Sequence, residues 1–256
     1  MRALKTLVLA LGIACAASAV SARDWAEIKK SGTLIAASEG AYAPFNFYQG
    51  NKLTGYEIEV MDAVAKKLGL KIQWKALGFD ALIGAVSQDR FDLAIASHGI
   101  TEERSKSVDF TKPHYCSGGQ IVAKTGGPLK AADLTGKVIG VQLATTYADA
   151  AKKVTGAKEV KTFPKDTDAQ QALLAGRLDA WVTDRFVAKE AIEKSGKGKL
   201  NAGDMLFIEQ VATVIKKGNT GLRDEINGAL VALKADGTLK KISEKWFKED
   251  ITCPTL

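Results

Sequence analysis

The sequence predicts an α/β fold made of two similar units, in which mainly parallel sheets are flanked by helices. The first observation is that short apolar strand patterns alternate with amphipathic helix patterns, which is typical of parallel strands joined by helical crossovers. The second is that the series begins again at Ala131, after a Gly118-Gly119 pair that suits a hinge or a bulge. The third is that strands in both units end in small polar residues that lead into helices. Ligands bind at the carboxyl ends of such strands, so these loops are the candidate site.

Hydrophobic periodicity predicts the elements of the first unit. The apolar residues Ile58, Met61, Ala65 and Leu68 recur at helical spacing, whereas residues 70–74 alternate as a strand does. The predicted elements, in order, are a helix at 24–30, a strand at 33–37, an aromatic loop with Gly and Pro at 38–47, a helix at 56–68, a strand at 70–74, a helix at 79–86, a strand at 91–96, a helix after Thr101, an extended segment at 108–115 and a strand at 120–123.

The second unit repeats this pattern. Thr145 or Thr146 is placed to cap the helix that follows its first strand, and Asp236-Gly237 interrupts the final helical stretch. The predicted elements are a strand at 137–141, a helix opened by the threonine pair, a strand at 159–163, a helix at 167–175, a strand at 178–183, a helix at 186–194, a loop at 195–199, a strand at 211–216 and two helices within 222–247.

Residues 1–22 are predicted to be a signal peptide. Arg2 and Lys5 supply its positive start, residues 7–17 form an apolar core too short to span a bilayer, and small residues precede the cleavage point. Cys15 raises the alternative of a lipid anchor, although the leucine usual three residues before such a cysteine is missing. The rest of the chain has no other long apolar run, so a soluble, exported, periplasmic protein is expected.

Composition and charge favour a soluble globular protein. The 256-residue chain is 46% hydrophobic and 25% charged. Its formal net charge of +7 comes from lysines scattered between acids, with no basic block that alternates with aromatics, so nucleic acid is not an expected partner. After removal of the leader, Cys116 and Cys253 remain. An exported protein can pair them in a disulfide, and two free thiols stay the alternative, because spacing does not decide.

The stretch 96–104 is the clearest local signal for a binding site. A buried strand pattern runs into small residues and then into Thr101, which is placed to cap a helix. Backbone N–H groups at a helix start favour an anion, and the planar guanidinium of Arg104 can hold a carboxylate through two hydrogen bonds. Ser97 adds a hydroxyl, and Gly99 permits close approach to the backbone. The pattern indicates a carboxylate pocket; an ordinary turn with a surface arginine is the alternative.

Eight short motifs occur in order along the chain after the leader, and together they resemble those of the periplasmic amino-acid-binding proteins of ABC importers. The motifs are Gly32-Thr33-Leu34, Tyr42-Ala43-Pro44-Phe45, Gly55-Tyr56-Glu57, Phe79-Asp80-Ala81-Leu82-Ile83, Ile100-Thr101-Glu102-Glu103-Arg104, Val108-Asp109-Phe110-Thr111, Gly176-Arg177-Leu178-Asp179-Ala180, and Asp236-Gly237-Thr238 before Lys245-Trp246-Phe247. The resemblance implies a two-lobed periplasmic-binding-protein fold of type II, whose lobes are joined by a two-strand hinge. It implies a first lobe at residues 23–115 plus 212–256 and a second at 116–211, with hinge crossings near 116–119 and 207–211.

The site residues of the family carry over to matching positions. By resemblance, Arg104 grips the α-carboxylate of an amino acid, and the backbone N–H groups of Gly99 and Thr146 assist it. Ser97 contacts the α-ammonium group, and Asp184 neutralises its charge. The set is physically consistent, because a zwitterion that leaves water needs a partner for each of its charges.

The resemblance also implies a slot for the ligand side chain. Tyr42 and Phe79 match aromatics that sandwich this side chain, and Glu39 matches an acid at the far end. Aromatic walls and a carboxylate suit a guanidinium or ammonium group, so arginine, lysine, ornithine or histidine is the expected ligand. A neutral polar amino acid such as glutamine is the alternative, because relatives for uncharged ligands also carry an acid near this position.

Other positions leave alternatives open. His98 replaces a residue that is usually apolar or small, and it either packs beside the pocket or contacts the ligand. Ala144 replaces a common glycine just before Thr145, a further expected ligand-binding position. Glu57 either reinforces the slot or only begins the following helix.

An enzyme is the main rival class. Residues 95–99 faintly resemble a nucleophile elbow, but the first glycine is missing, and neither His98 nor His114 has an evident triad setting. The same fold hosts exported cyclohexadienyl dehydratases, whose substrates would not need an ammonium partner at Asp184. The C-terminus at Leu256 favours a diffusible carrier over a receptor module. The sequence therefore predicts a monomeric, non-enzymatic protein, without cofactor or metal, that delivers an amino acid to an ABC permease.

Overall fold

The structure is a computed structural model that describes residues 23–195 and 198–254. The predicted signal peptide and the alternative anchor at Cys15 lie outside the described residues. The helices are α1 (Trp25–Ser31), α2 (Tyr56–Leu68), α3 (Phe79–Ser87), α4 (Glu102–Ser107), α5 (Thr146–Lys152), α6 (Asp166–Leu174), α7 (Arg185–Ser195), α8 (Thr220–Ala235) and α9 (Thr238–Phe247). The strands are β1 (Thr33–Ser38), β2 (Ala41–Tyr42), β3 (Asn46–Gln49), β4 (Lys52–Thr54), β5 (Lys71–Ala76), β6 (Leu93–Gly99), β7 (Val108–Phe110), β8 (Tyr115–Lys124), β9 (Val138–Gln142), β10 (Glu159–Phe163), β11 (Ala180–Asp184) and β12 (Leu200–Lys216).

Within the described residues, nine strands form one sheet in the order β10-β9-β11-β8-β12-β6-β1-β5, with β7 paired to β12. Both ends of this sheet are parallel: β1 pairs with β5 and β6, and β9 pairs with β10 and β11. The central strands β8 and β12 run antiparallel to each other and to their other neighbours. The predicted α/β class, with parallel strands covered by helices, is therefore confirmed.

The two long central strands connect the two parallel groups. β12 pairs with β8 from Leu200 to Val211 and with β6 from Val211 to Ile215, so it changes partner at Val211. The predicted strand at 211–216 is therefore too short. The Gly118-Gly119 pair lies inside β8 rather than before a strand. A Cβ on Gly118 would lie 2.1 Å from the carbonyl oxygen of Phe207, so glycine is required for this close approach of the two backbones.

Other boundaries also differ from prediction. The segment at 38–47, expected as a loop, contains β2 and the start of β3, which form a separate antiparallel sheet with β4. The strand expected to end at residue 96 continues to Gly99, because Gly99 and His98 pair with β12. The extended segment at 108–115 is divided into β7 and the start of β8.

The packing and covalent links agree with a stable core. Trp181, Tyr56 and Tyr115 are among the largest fully buried side chains. Cys116 at the start of β8 and Cys253 after α9 form a disulfide bond, with their Cα atoms 5.0 Å apart, so the paired alternative holds. Every helix in the described ranges is too short or too polar to cross a membrane.

Candidate functional site

Seven of the ten predicted site residues lie at the carboxyl ends of four strands. Glu39 follows β1, while Ser97, His98 and Gly99 end β6. Thr145 and Thr146 follow β9, and Asp184 ends β11. Parallel strands present their carboxyl ends at one edge of a sheet. Because both groups of parallel strands belong to the same sheet, the residues at their ends lie around one cleft.

A narrow cavity of about 10 Å³ lies between these strand ends. Its lining consists of Glu39, Tyr42, Phe79, Ala96, Ser97, Gln142, Thr145, Thr146 and Tyr147. Six of the predicted site residues thus line it. His98, Gly99, Arg104 and Asp184 lie outside this lining, while Ala96, Gln142 and Tyr147 belong to it and were not predicted. The last two sit at the end of β9 and the start of α5, where the strand-end rule could have found them.

Ser97 is held in place by a buried carboxylate. Its backbone φ of 57° lies in the left-handed region, which is unusual for a residue other than glycine and marks local strain. Glu57 accepts hydrogen bonds from the Ser97 N–H (2.8 Å) and hydroxyl (3.0 Å). It also accepts one from Asn46 at 2.8 Å and lies 3.0 Å from Nε2 of His114. Glu57, in the first turn of α2, therefore orients the end of β6 at Ser97, and these bonds do not direct it to the ligand slot.

Arg104 links the two parallel strand groups. Its Nη1 donates to the carbonyl of Gly99 at 2.8 Å, and its Nη2 donates to the carbonyl of Ala144 at 2.9 Å. The guanidinium carbon lies 5.7 Å from the ring centre of Phe79. Thr101 caps α4 as predicted, because its hydroxyl accepts the Arg104 N–H at 3.1 Å. Burial lowers the pKa of Arg104, and the nearby Glu209 carboxylate acts in the opposite direction.

The loop between β9 and α5 presents two threonines. Ala144 has a φ of 61°, which explains why a glycine is common there. Thr145 caps α5 by accepting the Ala148 N–H at 3.1 Å, and Thr146 donates its hydroxyl to Glu209 at 2.8 Å. Of the two threonines predicted as possible caps of α5, Thr145 is therefore the cap, and Thr146 binds Glu209 instead.

The carboxylate of Asp184 is fully buried, and only one of its two oxygens accepts a hydrogen bond within the described residues. Its Oδ1 accepts the Phe186 N–H at 2.7 Å, whereas its Oδ2 has no hydrogen-bond partner among residues 23–195 and 198–254. Burial raises the pKa of Asp184 to about 7, although the hydrogen bond from the Phe186 N–H acts in the opposite direction. A buried carboxylate of this kind is suited to a cation, because pairing with an opposite charge offsets part of its desolvation cost.

Glu39 lies in the same cavity, and its Oε1 accepts a hydrogen bond from the amide of Gln142 at 2.7 Å. Burial raises the pKa of Glu39 to about 7, and the charge of Lys165 opposes this shift. At neutral pH the group is therefore close to half ionised, so a cation placed beside it would draw off its proton.

His98 packs under one wall of the cavity. Its ring stacks on Phe79 with centroids 4.6 Å apart and an interplanar angle of 17°. It is fully buried, and neither ring nitrogen has a hydrogen-bond partner in the described part of the chain. Burial, with help from the Arg104 charge, lowers the pKa of His98, so the ring is neutral at pH 7. Its position favours the packing alternative over direct contact with a ligand.

The strand order and the cleft at the strand ends define a binding protein of the type II periplasmic class. The comparisons show the family more narrowly. The chain belongs to the bacterial extracellular solute-binding proteins, family 3, whose sequence model matches residues 34–249.

Individual relatives agree with this assignment. The chain is 36% identical over 231 residues to the L-cystine-binding protein TcyJ of Escherichia coli strain K12, covering 88% of this chain and 86% of that one. An ancestral arginine-binding protein bound to arginine superimposes with a TM-score of 0.80 at 40% identity, covering 84% of this chain and 98% of that one. The ancestral amino acid-binding protein AncCDT-1, a precursor of cyclohexadienyl dehydratase, superimposes with a TM-score of 0.81 at 34% identity, covering 87% and 98%.

Proposed function

We propose that this protein captures an amino acid in the cleft between the two strand groups and delivers it to an ABC permease. The observation that carries the proposal is a pair of oppositely charged groups at one cleft, the partly buried Arg104 guanidinium and the fully buried Asp184 carboxylate. Asp184 has an oxygen without a hydrogen-bond partner in the described ranges. An amino acid supplies one charge for each group. The relatives support this class of ligand, because their names refer to arginine, to cystine and to amino acids in general.

In this proposal the α-carboxylate binds to Arg104 and to the backbone N–H groups of Gly99 and Thr146. The α-ammonium group binds to Asp184 and the Ser97 hydroxyl. Each end of the zwitterion thereby gains a partner of opposite charge, which offsets the cost of removing it from water. Thr145 contributes by fixing the start of α5 at the cavity wall.

Closure of two lobes completes the mechanism. The lobes we propose comprise residues 23–115 plus 212–256 and residues 116–211, and they meet where β8 and β12 pass between the strand groups. The partner change of β12 at Val211 supports this placement. A ligand that contacts Arg104 and Asp184 together favours the closed state, because only that state offers both contacts. A permease then recognises the exported carrier in its closed form and not in its open form.

The side-chain slot favours a basic amino acid. Tyr42 and Phe79 form apolar walls, and Glu39 provides a carboxylate within the same cavity. A guanidinium or ammonium group beside Glu39 would pair with its charge. A neutral amino acid such as glutamine or cystine is the second candidate, favoured by the hydrogen bond between Glu39 and Gln142 and by the likeness to TcyJ.

An enzymatic role is the less favoured reading. The likeness to AncCDT-1 relates the fold to dehydratases. A cyclohexadienyl keto acid such as prephenate, however, has no ammonium group for Asp184. Binding without turnover is therefore the proposed activity.

A thermal-shift screen of refolded, ligand-stripped protein tests the proposal. Arginine, lysine, ornithine, histidine, glutamine, cystine and prephenate are compared, because binding to the folded state alone stabilises it by about 4 kcal/mol at a thousandfold excess over Kd. Arg104→Ala should abolish the shift, whereas Arg177→Ala, which removes an exposed arginine away from the cleft, should not change it. A shift with prephenate alone, or full binding by Arg104→Ala, would contradict the proposal.

A further inference from the structure

Glu209 is an acidic residue whose carboxylate is largely buried, and the family resemblance does not place it in the site. It lies on β12 opposite Ser117, two residues before the strand changes partner. The residue as a whole is partly exposed, but its Oε1 is shielded from solvent and has no hydrogen-bond partner within 23–195 and 198–254. A carboxylate oxygen in that state has a strong tendency to acquire a donor.

The contacts of the Glu209 carboxylate coincide with the proposed α-carboxylate site. Its Oε2 accepts the Thr146 hydroxyl at 2.8 Å. The same oxygen packs against Gly99, since a Cβ built there would lie 2.0 Å from it. The charge of Arg104 acts on it at longer range, with no direct ion pair between them among the described residues. Thus Gly99 and Thr146 already face a carboxylate that belongs to the protein.

Two carboxylates cannot share this space. They would bring like charges within a few ångströms of each other inside a cleft where charges are poorly screened. Burial already raises the pKa of Glu209, against the effect of the Thr146 hydroxyl and of Arg104. A second anion beside Arg104 would add to that cost. One of the two carboxylates must therefore leave or take up a proton.

The structure offers Glu209 an alternative position. An open groove on the outer side of β12 is bordered by Ile100, Thr101, Thr146, Phe207 and Glu209. The backbone of Glu209 is held by pairing with β8. A change of the Glu209 side-chain rotamer is therefore sufficient to move the carboxylate toward solvent.

We propose that Glu209 sets the ligand affinity of this protein, because its carboxylate competes with the ligand α-carboxylate for the donors around Gly99, Thr146 and Arg104. This inference rests on the proposed function. It goes further by adding an internal competitor to that site. If Glu209 occupies the donors in about 90% of molecules, the apparent Kd is about tenfold weaker than the intrinsic one.

The first test uses acetate, a carboxylate that needs no side-chain slot. In Glu209→Ala the donors are free, so acetate should raise Tm relative to chloride at equal ionic strength. It should do so in neither the wild type nor Glu103→Gln, a control that removes an exposed acid of the same groove. Adding Arg104→Ala to Glu209→Ala should remove the effect. Equal acetate response in wild type and Glu209→Ala would overturn the inference.

The second test uses calorimetric titration with matched probe pairs, L-arginine with agmatine and L-cystine with cystamine. Glu209→Ala should tighten binding of the amino acid by about tenfold. The decarboxylated partner should change less than twofold. Glu209→Gln, which keeps the shape and loses the charge, should give a smaller gain. Unchanged or weaker binding of the amino acid by both variants would overturn the inference. If every variant binds no amino acid, the proposed function fails, and the acetate result still decides the role of Glu209.

Discussion

At the scale of single residues, the site separates charges of opposite sign and leaves each with unused bonding capacity. Arg104 donates to two carbonyl groups, which are weaker partners than a carboxylate. Asp184 keeps one buried oxygen unpaired within the described residues. The cost of burying these groups is borne by the folded protein before any ligand binds, so their removal should affect stability and affinity in opposite directions.

Asp184→Asn tests whether removing one of these charges raises the stability of the folded protein and lowers its affinity for the ligand. The carboxyl of Asp184 has a folded pKa of about 7, raised above its unfolded value by burial. The folded state therefore binds more protons between about pH 4 and 7, so its stability falls as the pH rises through that window. The variant should have a higher Tm than wild type at pH 8 and a similar Tm near pH 4.5. It should also weaken amino-acid binding by about a hundredfold or more. A lower Tm at pH 8 together with unchanged affinity would contradict the assignment.

Glu39→Gln tests the side-chain slot through the pH dependence of binding. A basic ligand binds to ionised Glu39, whose pKa before binding is about 7. Below that value Glu39 must lose its proton, so the affinity should fall by up to about tenfold per pH unit from this group alone. Calorimetry with arginine between pH 5 and 8 should show that slope in wild type and a slope smaller by about one in Glu39→Gln. Glutamine serves as the control ligand, and an equal change for both ligands would refute the basic slot.

At the scale of elements, the loops that end β6 and β9 combine strain with capping. Ser97, near the end of β6, and Ala144, two residues before α5 begins, both adopt left-handed backbone conformations. The hydrogen bonds of Glu57 to Ser97 and of Thr145 to Ala148 fix these loops. Strain of this kind is found where backbone groups are aimed at a ligand.

Ala144→Gly should relieve one of these strained positions. A left-handed conformation costs an L-residue roughly 1–2 kcal/mol, and part of that gain is lost to the greater freedom of glycine in the unfolded chain. We expect a small rise in Tm without loss of affinity. Ala150→Gly in α5 is the matched control and should lower Tm, because glycine disfavours a helix interior. A fall in Tm for Ala144→Gly would show that the φ of 61° carries no strain.

Elements with their own periodicity could be predicted from sequence, and those that depend on distant partners could not. The apolar spacing of α2 is visible in residues 56–68. In contrast, residues 200–210 of β12 have no regular alternation, and most are at least partly exposed. Pairing with β8 makes them a strand. The short strands β2 and β3 likewise form only with their partners in the small sheet.

The site divides in the same way. Residues at strand ends, such as Glu39, Ser97 and Thr146, could be predicted because the position of the loop implies the position of the side chain. The positions of Tyr147 and Gln142 at the cavity follow from the same rule, although these two residues were not among those predicted. Glu209 could not be found, because its place depends on the register of β12 against β8 and β6, which short-range patterns do not contain.

At the scale of the whole molecule, the disulfide ties the C-terminal segment to the central strands. Cys116 begins β8, and its N–H donates to the carbonyl of Ile251. Lys234 on α8 holds the same segment through the carbonyl of Cys253 at 2.6 Å. The bond therefore closes a long loop that includes β9 to α9.

Replacing both cysteines by serine should lower the stability and leave the site intact. The cost should be about 2–5 kcal/mol, because the unfolded chain regains the freedom that the closed loop removed. Chemical denaturation of the double variant beside oxidised and reduced wild type measures this difference. Retained amino-acid affinity is expected, since neither cysteine lines the cavity. Loss of binding by a folded double variant would instead place the disulfide in the binding mechanism.

The most direct test of the central claim is a crystal structure of the protein with the amino acid that gives the largest thermal shift. We expect a carboxylate within hydrogen-bond distance of Arg104 and of the Gly99 and Thr146 N–H groups. We also expect an ammonium group on Oδ2 of Asp184 and a side chain between Tyr42 and Phe79. A ligand bound with its charged ends reversed, or outside the cleft between the two strand groups, would contradict this claim.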